Sequence, residues 1–208
     1  MLLNKKILIS RWKNSINKFE KKFLKINFIK YIERKKKKTI VAFVDSVIID
    51  RNKKKINRAV QVEWPSVVIV PILTCGKIVK TLMIEQFRIG AGKYLLEFPA
   101  GMIEGNNILD NALREIKEEL NITIKRNSLK KLSVKPIHML PSSNSQLAHF
   151  FYFKKKVTKS FLKYIDNSKS GCESDGEYLK IKVMSFKEVE KLNTSCALVG
   201  LSLIKKII

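Results

Sequence analysis

The sequence predicts an α+β protein, and three observations support this prediction. From residue 39 onward, segments rich in β-branched residues alternate with short polar turns, as in antiparallel hairpins. Residues 66–73 form a nearly continuous apolar run, which is typical of a buried strand. Residues 108–120 instead repeat apolar side chains every three or four positions, as an amphipathic helix does. Strands followed by helices, with mainly hairpin connections, indicate an α+β sandwich.

The first 38 residues are strongly basic and form a separate segment in this prediction. Their acids are Glu20 and Glu33, and apolar residues recur at steps of three and four, so the segment is predicted to be largely an amphipathic basic helix. Three interpretations stay open: a helix that packs on the domain, a cleaved organellar presequence, or a helix that contacts a membrane surface or RNA. The predicted division is an extension of residues 1–38 and a domain of residues 39–208.

Five strands are predicted before the helix at residue 108 and three after it. Pro65 ends the second of them, and Gly76 lies in a hairpin turn between the third and the fourth. The glycine turn at residue 101 follows the fifth strand and leads into the helix. The predicted strands span residues 39–49, 56–62, 66–73, 78–85, 94–98, 132–137, 146–153 and 178–184.

Two further helices are predicted toward the end of the chain. Residues 154–176 are polar and rich in lysine, and are predicted to be a long loop. Ser185 and Glu188 have the spacing of a capping box for a short helix, and residues 194–208 have the pattern of a C-terminal helix. At the first core helix, Asn106 or Asn107 is the expected N-cap.

Composition limits the kinds of protein this can be. The 208 residues are 45% hydrophobic, with 42 Lys and Arg against 18 Asp and Glu, a formal net charge of +24. Such a surface attracts anions such as nucleotides, RNA or acidic membrane, although a genome biased toward Lys, Asn and Ile explains the charge equally well. No apolar run approaches 18 residues, so no membrane span is predicted.

Three cysteines, Cys75, Cys172 and Cys196, are widely spaced and show no metal-binding pattern. Reduced thiols in an intracellular compartment are the simplest explanation. We therefore expect a cytoplasmic protein, with a mitochondrion or plastid as the alternative if the basic N-terminal segment is a presequence.

Three glutamates occupy one face of the predicted helix 108–120. Glu115, Glu118 and Glu119 stand at positions i, i+3 and i+4, so their side chains lie within about one helical turn. Like charges this close repel unless a cation is present, and oxygen ligands suit a hard divalent ion such as magnesium. A solvated acidic face without a ligand is the alternative interpretation.

The sequence around this helix resembles the Nudix box. The resemblance is formed by Gly101 and the run Arg114-Glu115-Ile116-Lys117-Glu118-Glu119, and the preceding Glu97-Phe98-Pro99-Ala100-Gly101 is similar to the version in ADP-ribose and ADP-sugar pyrophosphatases. It covers about residues 38–206. It implies an α/β/α sandwich of a mixed β-sheet with helices on both sides, to which the basic N-terminal helix is added.

The box departs from the family pattern at three places. The loop after Gly101 is one residue short, Asn106 stands where an early glutamate is usual, and Asn121 stands where a late glycine is usual. The change at Asn121 is mild because asparagine tolerates left-handed backbone better than most residues. The change at Asn106 removes the acid that braces the box arginine in the family. The partner of that arginine is then open, with Glu104 as one substitute.

The resemblance implies roles for several side chains. Glu115 and Glu119 are expected to be direct metal ligands, Glu118 a ligand or an orienting residue, and the carbonyl of Ala100 an additional ligand. Gly101 is expected to let the loop approach the metal, and Arg114 to hold the loop.

Three more roles come from outside the box. Glu177, in the loop Glu173-Ser174-Asp175-Gly176-Glu177, matches the family's general base. Arg88 matches an arginine that contacts phosphate. Trp64 is expected either to stack on adenine or to pack in the core or an interface.

These residues together predict an enzyme. We expect hydrolysis of a nucleotide-sugar pyrophosphate bond to AMP and a sugar phosphate, with Mg²⁺, or Mn²⁺ as an alternative, and a homodimer as the assembly. Hydrolysis of another nucleotide, such as a dinucleoside polyphosphate or NADH, is a weaker variant. The alternative from a different class is an RNA-binding or complex-binding subunit of the same fold, which the net charge and the altered box favour.

Overall fold

The computed structural model describes residues 4–17, 22–34, 38–49, 52–171 and 178–208. These residues form two compact units. The N-terminal unit comprises Met1–Pro65, Ile103–Asn106 and His138–Leu147, and the main unit comprises Ser66–Met102, Asn107–Ile137 and Ala148–Ile208. The predicted division after residue 38 falls at the first residue of β2 (Lys38–Ile49), a strand that pairs with β1 (Lys22–Arg34) in the N-terminal unit.

The N-terminal unit is a helix packed on an antiparallel sheet. Helix α1 (Lys5–Asn17) contacts strands β1 (Lys22–Arg34), β2 (Lys38–Ile49) and β3 (Lys55–Glu63), which are arranged in the order β1-β2-β3. On α1, Leu8, Ile9 and Trp12 are buried, so its apolar side faces the sheet.

The helix predicted within residues 1–38 is wrong over Lys22–Arg34. Residues 22–34 form strand β1, whose backbone pairs with β2 from Lys22↔Ile49 to Arg34↔Lys38. Adjacent apolar residues such as Phe28-Ile29 and Tyr31-Ile32 interrupt a strict strand alternation, and β1 accommodates the irregular pattern through register shifts in its pairing with β2. The backbone pairing with β2 makes this segment a strand and not a helix.

The main unit contains a mixed β-sheet. Its order is β11-β12-β5-β4-β10-β8, with β6 beside β5 and β7 beside β4. Strand β10 runs parallel to β4, and the other described pairs within this unit are antiparallel. The strands are β4 (Ser66–Cys75), β5 (Ile78–Arg88), β6 (Lys93–Glu97), β7 (Ala100–Met102), β8 (Lys130–Lys131), β9 (Ile137–His138), β10 (Leu147–Lys156), β11 (Lys169–Ser170) and β12 (Leu179–Met184).

Helices cover the centre of this sheet. Residues 66–73 of β4 are all buried, and because successive strand residues point to opposite faces, both faces of β4 are covered. Helices α2 (Ile108–Leu120) and α5 (Ser195–Ile204) both pack on β4. The predicted α+β class with a mixed sheet and packed helices is confirmed.

Helix α2 has the predicted bounds, and asparagine caps it at both ends. The Asn107 side chain accepts hydrogen bonds from Leu109 N (3.1 Å) and Asp110 N (3.3 Å), which confirms the expected N-cap. Asn121 adopts left-handed backbone (φ 55°, ψ 29°) and its N–H bonds to Lys117 O at 3.2 Å. A β-carbon there is strained, and the amide side chain offsets part of the strain through a bond to Lys169 O.

Substitutions at Asn121 test this cap. We expect Asn121→Ala to lower the free energy of unfolding by about 1 kcal/mol, because alanine keeps the β-carbon in a left-handed conformation and loses the amide. Asn121→Gly should change it by less than about 0.5 kcal/mol, since glycine removes the strain. Urea denaturation of both variants measures the difference, and equal stabilities would contradict the role of the left-handed conformation.

Two predictions downstream of α2 are wrong. The strand predicted over residues 132–137 is absent; the two-residue strands β8 and β9 lie on either side, and Pro136 cannot donate a ladder hydrogen bond. The loop predicted over residues 154–176 contains helix α3 (Lys159–Ile165) and strand β11. Thr158 caps α3 by accepting from Phe161 N at 3.1 Å, a signal that the lysine-rich composition concealed.

Both predicted C-terminal helices are present, but the second ends at Ile204 and not at residue 208 as predicted. Helix α4 (Phe186–Val189) begins with a complete capping box between Ser185 and Glu188, and α5 starts after Thr194. Of the helices that the structure describes, none is long and apolar enough to cross a membrane.

Candidate active site

Two buried carboxylates lie on helix α2 beside strand β7. Glu115 is 6% exposed and Glu119 is 7% exposed, on the same side of the helix as Ala112, Ile116 and Leu120. Charged groups are buried at a large cost in desolvation unless partners compensate them. Their burial shows that the acidic side of α2 is not simply a solvated face.

Glu119 is held by the backbone of the turn that precedes the helix. Its Oε2 accepts a hydrogen bond from Ala100 N at 2.9 Å. Ala100 begins strand β7, whose register with β4 (Val68↔Ala100) fixes the position of that N–H. This contact uses the Ala100 N–H, whereas the sequence predicted the Ala100 carbonyl as a metal ligand, and that role stays a prediction.

Glu115 occupies the space where a side chain of residue 101 would lie. A β-carbon added to Gly101 would be 1.9 Å from Glu115 Oε1 and 2.0 Å from its Cδ. Gly101 does not have a positive φ, so glycine is required here for space and not for backbone conformation. The predicted approach of Gly101 to a metal stays a prediction; the structure shows that the Glu115 carboxylate approaches it.

Arg114 bridges two of the three glutamates. Its Nη2 is 2.6 Å from Glu115 Oε1 and 3.3 Å from Met102 O, and its Nη1 is 2.7 Å from Glu118 Oε2. The sequence left the partner of this arginine open, with Glu104 as one substitute. In the main unit the partners are Glu115, Glu118 and the Met102 carbonyl, which together link the helix to β7.

Arg88 is the second cation near this face. Its Nη2 and Nε donate to Glu97 Oε2 at 2.5 and 3.2 Å. Burial lowers the pKa of Arg88, but the hydrogen bond and charge of Glu97, with smaller contributions from Glu119 and Cys196, outweigh it and leave the pKa raised. Arg88 is therefore always charged and lies within electrostatic range of Glu119.

Glu97 was not among the predicted site residues. It lies on the same face of the β5–β6 hairpin as Arg88, because Arg88 pairs with Lys93 and Glu97 pairs with Ile84, positions of the same parity. This hairpin register was the signal that could have identified it. Nearby, burial and then the charge of Glu97 raise the pKa of the Cys196 thiol to about 12, so this cysteine stays protonated.

Two further predicted site residues are Trp64 and Glu177. Trp64 belongs to the N-terminal unit, where it is buried and the Arg11 guanidinium carbon lies 5.8 Å from the ring centroid. This environment fits the packing alternative. Glu177 lies outside the described residues.

The carboxylate oxygens on this face are the type of ligand atom that a hard divalent cation prefers. Glu115 and Glu119 provide buried, anionic oxygen ligands, and Glu118 is a third carboxylate one turn away. Within the part of the chain that the structure describes, however, no group of three His, Cys, Asp or Glu side chains is close enough to hold a metal ion. Arg114 forms ion pairs with both Glu118 and Glu115.

Comparison with known proteins agrees with this arrangement. The NUDIX domain model matches residues 63–197, more than half of the chain. The chain is 25% identical over 134 residues to a protein named Nudix hydrolase 14, chloroplastic, from Arabidopsis thaliana; the match covers 60% of this chain and 43% of the relative, so the chain spans less than half of that relative's length. A solved structure described as an ADP compounds hydrolase superposes with a TM-score of 0.58 at 15% identity, covering 88% of this chain and 92% of the other, and shows that the fold is shared.

Proposed function

We propose, from the premise that the chain belongs to the Nudix family of hydrolases, that it cleaves the pyrophosphate bond of a nucleoside diphosphate sugar. The expected products are AMP and a sugar phosphate, from ADP-ribose or ADP-glucose. The description of the solved structure with the same fold supports an ADP compound as the substrate. The observation on which the proposal depends is the pair of buried carboxylates, Glu115 and Glu119, held beside Gly101.

Glu115, Glu119 and the Ala100 carbonyl would hold Mg²⁺, with Glu118 as a ligand or orienting residue. The bound ion would neutralise pyrophosphate oxygens and acidify a water. The protein groups keep these ligands in place: the Ala100 N–H orients Glu119, and Arg114 orients Glu115 and Glu118. Release of Glu118 from Arg114 would complete the set of three carboxylates.

Arg88 would bind a phosphate oxygen of the substrate. Its guanidinium is fixed at the end of β5 by Glu97 and keeps donor groups beyond the two that this carboxylate accepts. A planar guanidinium suits phosphate because it donates two parallel hydrogen bonds.

Water attacks one phosphorus atom, the bridging P–O bond breaks, and the departing phosphate leaves as the sugar phosphate or AMP.

Glu177 would take the proton from the attacking water. A carboxylate that ligates a dication is a poor base, so a separate base is needed. We expect Glu177→Gln to lower AMP formation at least about 100-fold. Substrate binding should survive: with Mg²⁺ and ADP-ribose at about 100 times its dissociation constant, the variant should still gain about 2.7 kcal/mol of stability, measured by thermal unfolding. If Glu177→Gln loses this ligand stabilisation as well as its activity, the assignment of Glu177 as the base is contradicted.

Product analysis tests the substrate class. Purified protein with Mg²⁺ is incubated separately with ADP-ribose, ADP-glucose, a dinucleoside polyphosphate and NADH, and the nucleotides are separated by chromatography. We expect AMP first and fastest from one of the ADP-sugars. No cleavage of any of the four would overturn the proposal and favour the alternative of a binding subunit.

The retained carboxylates support an enzyme over a binding subunit. Burying Glu115 and Glu119 costs desolvation free energy, and a metal-dependent site explains why both acids are retained there. The homodimer and the cytoplasmic location stay predictions. The name of the plant relative, which is chloroplastic, favours the plastid alternative over the mitochondrial one.

A further inference from the structure

Exposed aromatic side chains form a row across the main sheet. Phe87 on β5 is 50% exposed and Tyr94 on β6 is 66% exposed, and the two residues are opposite each other in the antiparallel pair. Their ring centroids are 5.4 Å apart at an interplanar angle of 71°. Large aromatic rings are usually buried, so two exposed neighbours on one face indicate a surface that meets a ligand or a partner.

Tyr178 extends the row toward β12. It is 74% exposed and stands two residues before Lys180, which pairs with Glu85 of β5. In an antiparallel pair, two residues back on one strand correspond to two residues forward on the other, which places Tyr178 toward Phe87 on the same face.

Lysines form a second row next to the aromatic one. Lys169 of β11 pairs with Lys180 of β12, and both side chains are exposed. Lys180 is on the same face as Phe87 because Glu85 and Phe87 have the same parity on β5. Glu85 is also on this face, and its Oε1 is 3.9 Å from Lys182 Nζ, so that acid is already paired.

We propose that these five residues, the aromatic–lysine strip (Phe87, Tyr94, Tyr178, Lys169 and Lys180), bind single-stranded nucleic acid. Unpaired bases stack on exposed aromatic rings, while lysines beside them bind the phosphates. The net charge of +24 adds a long-range attraction for a polyanion. Stacking requires bases that are free of a duplex, so single strands are preferred over double strands.

A second copy of the chain fits this strip less well. A two-fold symmetric dimer through this strip would place the lysine pairs of both copies in one interface, and the strip itself contains no acid to pair with them. A polyanion is complementary to the lysines and leaves the aromatic rings available for bases.

The test measures binding of a fluorescein-labelled oligouridine of about 15 nucleotides by anisotropy, with an oligothymidine and a duplex of the same length as further probes. We expect Phe87→Ala and Tyr94→Ala each to weaken single-strand binding at least about fivefold. The matched control is Phe28→Ala, a phenylalanine in the N-terminal unit that is 58% exposed and should change affinity less than about twofold. Thermal unfolding of each variant confirms that the fold is retained.

The lysines have a different expected signature. Each phosphate contact contributes about 0.7 to the slope of log affinity against log salt for single strands, so Lys169→Gln with Lys180→Gln should reduce the slope by about 1.4. Phe87→Ala should leave the slope unchanged.

Several results would overturn the proposal. These are no binding of either single strand at about 50 mM salt, equal affinity for the duplex, or an equal effect of Phe28→Ala and Phe87→Ala. A Phe87→Ala variant that changes the oligomeric state in sedimentation and leaves oligonucleotide affinity unchanged would identify the strip as a contact between copies instead.

Discussion

Replacing Glu119 by glutamine will abolish hydrolysis while the fold stays intact. Glutamine has the same shape, and its side-chain oxygen can still accept the hydrogen bond that Ala100 N donates to Glu119 at 2.9 Å. The variant loses the buried negative charge that would hold a divalent cation. We expect AMP formation to fall at least about 100-fold and the free energy of unfolding to change by about 1 kcal/mol. Steady-state kinetics and urea denaturation measure the two effects.

Glu190→Gln is the matched control for this substitution. Glu190 is also a paired glutamate, 2.6 Å from Lys205 Nζ, but lies at the end of α4 and away from the carboxylates of α2. Its activity should equal that of the wild type. Full activity of Glu119→Gln would refute the role of Glu119 as a metal ligand. If Glu119→Gln does not fold, the burial of Glu119 serves the structure alone.

The largest combined effect on stability and activity is expected at Gly101. A β-carbon there would be 1.9 Å from Glu115 Oε1, so Gly101→Ala must displace either a buried carboxylate or the β7 backbone. Overpacking of this kind costs about 2 kcal/mol, and we expect AMP formation to fall at least about 100-fold because Glu115 no longer occupies its position. Thermal unfolding and kinetics of the variant measure both.

Two comparisons separate this clash from a general effect of alanine. At Gly90 a β-carbon would have no neighbouring atom within 4 Å, and the backbone has no positive φ, so Gly90→Ala should leave stability and activity nearly unchanged. In a Glu115→Ala background, Gly101→Ala should cost much less than it does alone, because the clashing atoms are gone. If the losses of stability from Gly101→Ala and Glu115→Ala are additive in the double variant, a clash between the two residues is not the cause.

Local signals in the sequence were sufficient for the helix that forms the site. The spacing of Leu109, Ala112, Leu113, Ile116 and Leu120 predicted the bounds of α2, although Leu109 and Leu113 are not among its buried residues, and Asn107 was one of the two expected N-caps. The same spacing placed Glu115 and Glu119 on one side. Both are properties of residues within about four positions of each other, which is the range that helix periodicity controls.

Local sequence patterns could not predict the contacts between segments that are far apart in the chain. The pairing of Arg88 with Glu97 depends on the register of the β5–β6 hairpin, and the contact of Gly101 with Glu115 depends on β7 lying beside α2. The two carboxylate partners of Arg114 were missed because helix periodicity does not determine side-chain rotamers. Strand β1 was missed because its apolar residues do not alternate strictly, and the pairing with β2 that forms it includes register shifts.

The dependence of AMP formation on a divalent metal tests the central claim most directly. The wild-type protein is treated with EDTA, dialysed, and assayed with ADP-ribose and ADP-glucose over a titration of Mg²⁺. We expect no AMP without the ion and a saturable increase in rate as Mg²⁺ is added, because Glu115 and Glu119 need a cation to act on the pyrophosphate. AMP formation at an unchanged rate in EDTA, or no AMP at any Mg²⁺ concentration, would contradict the account.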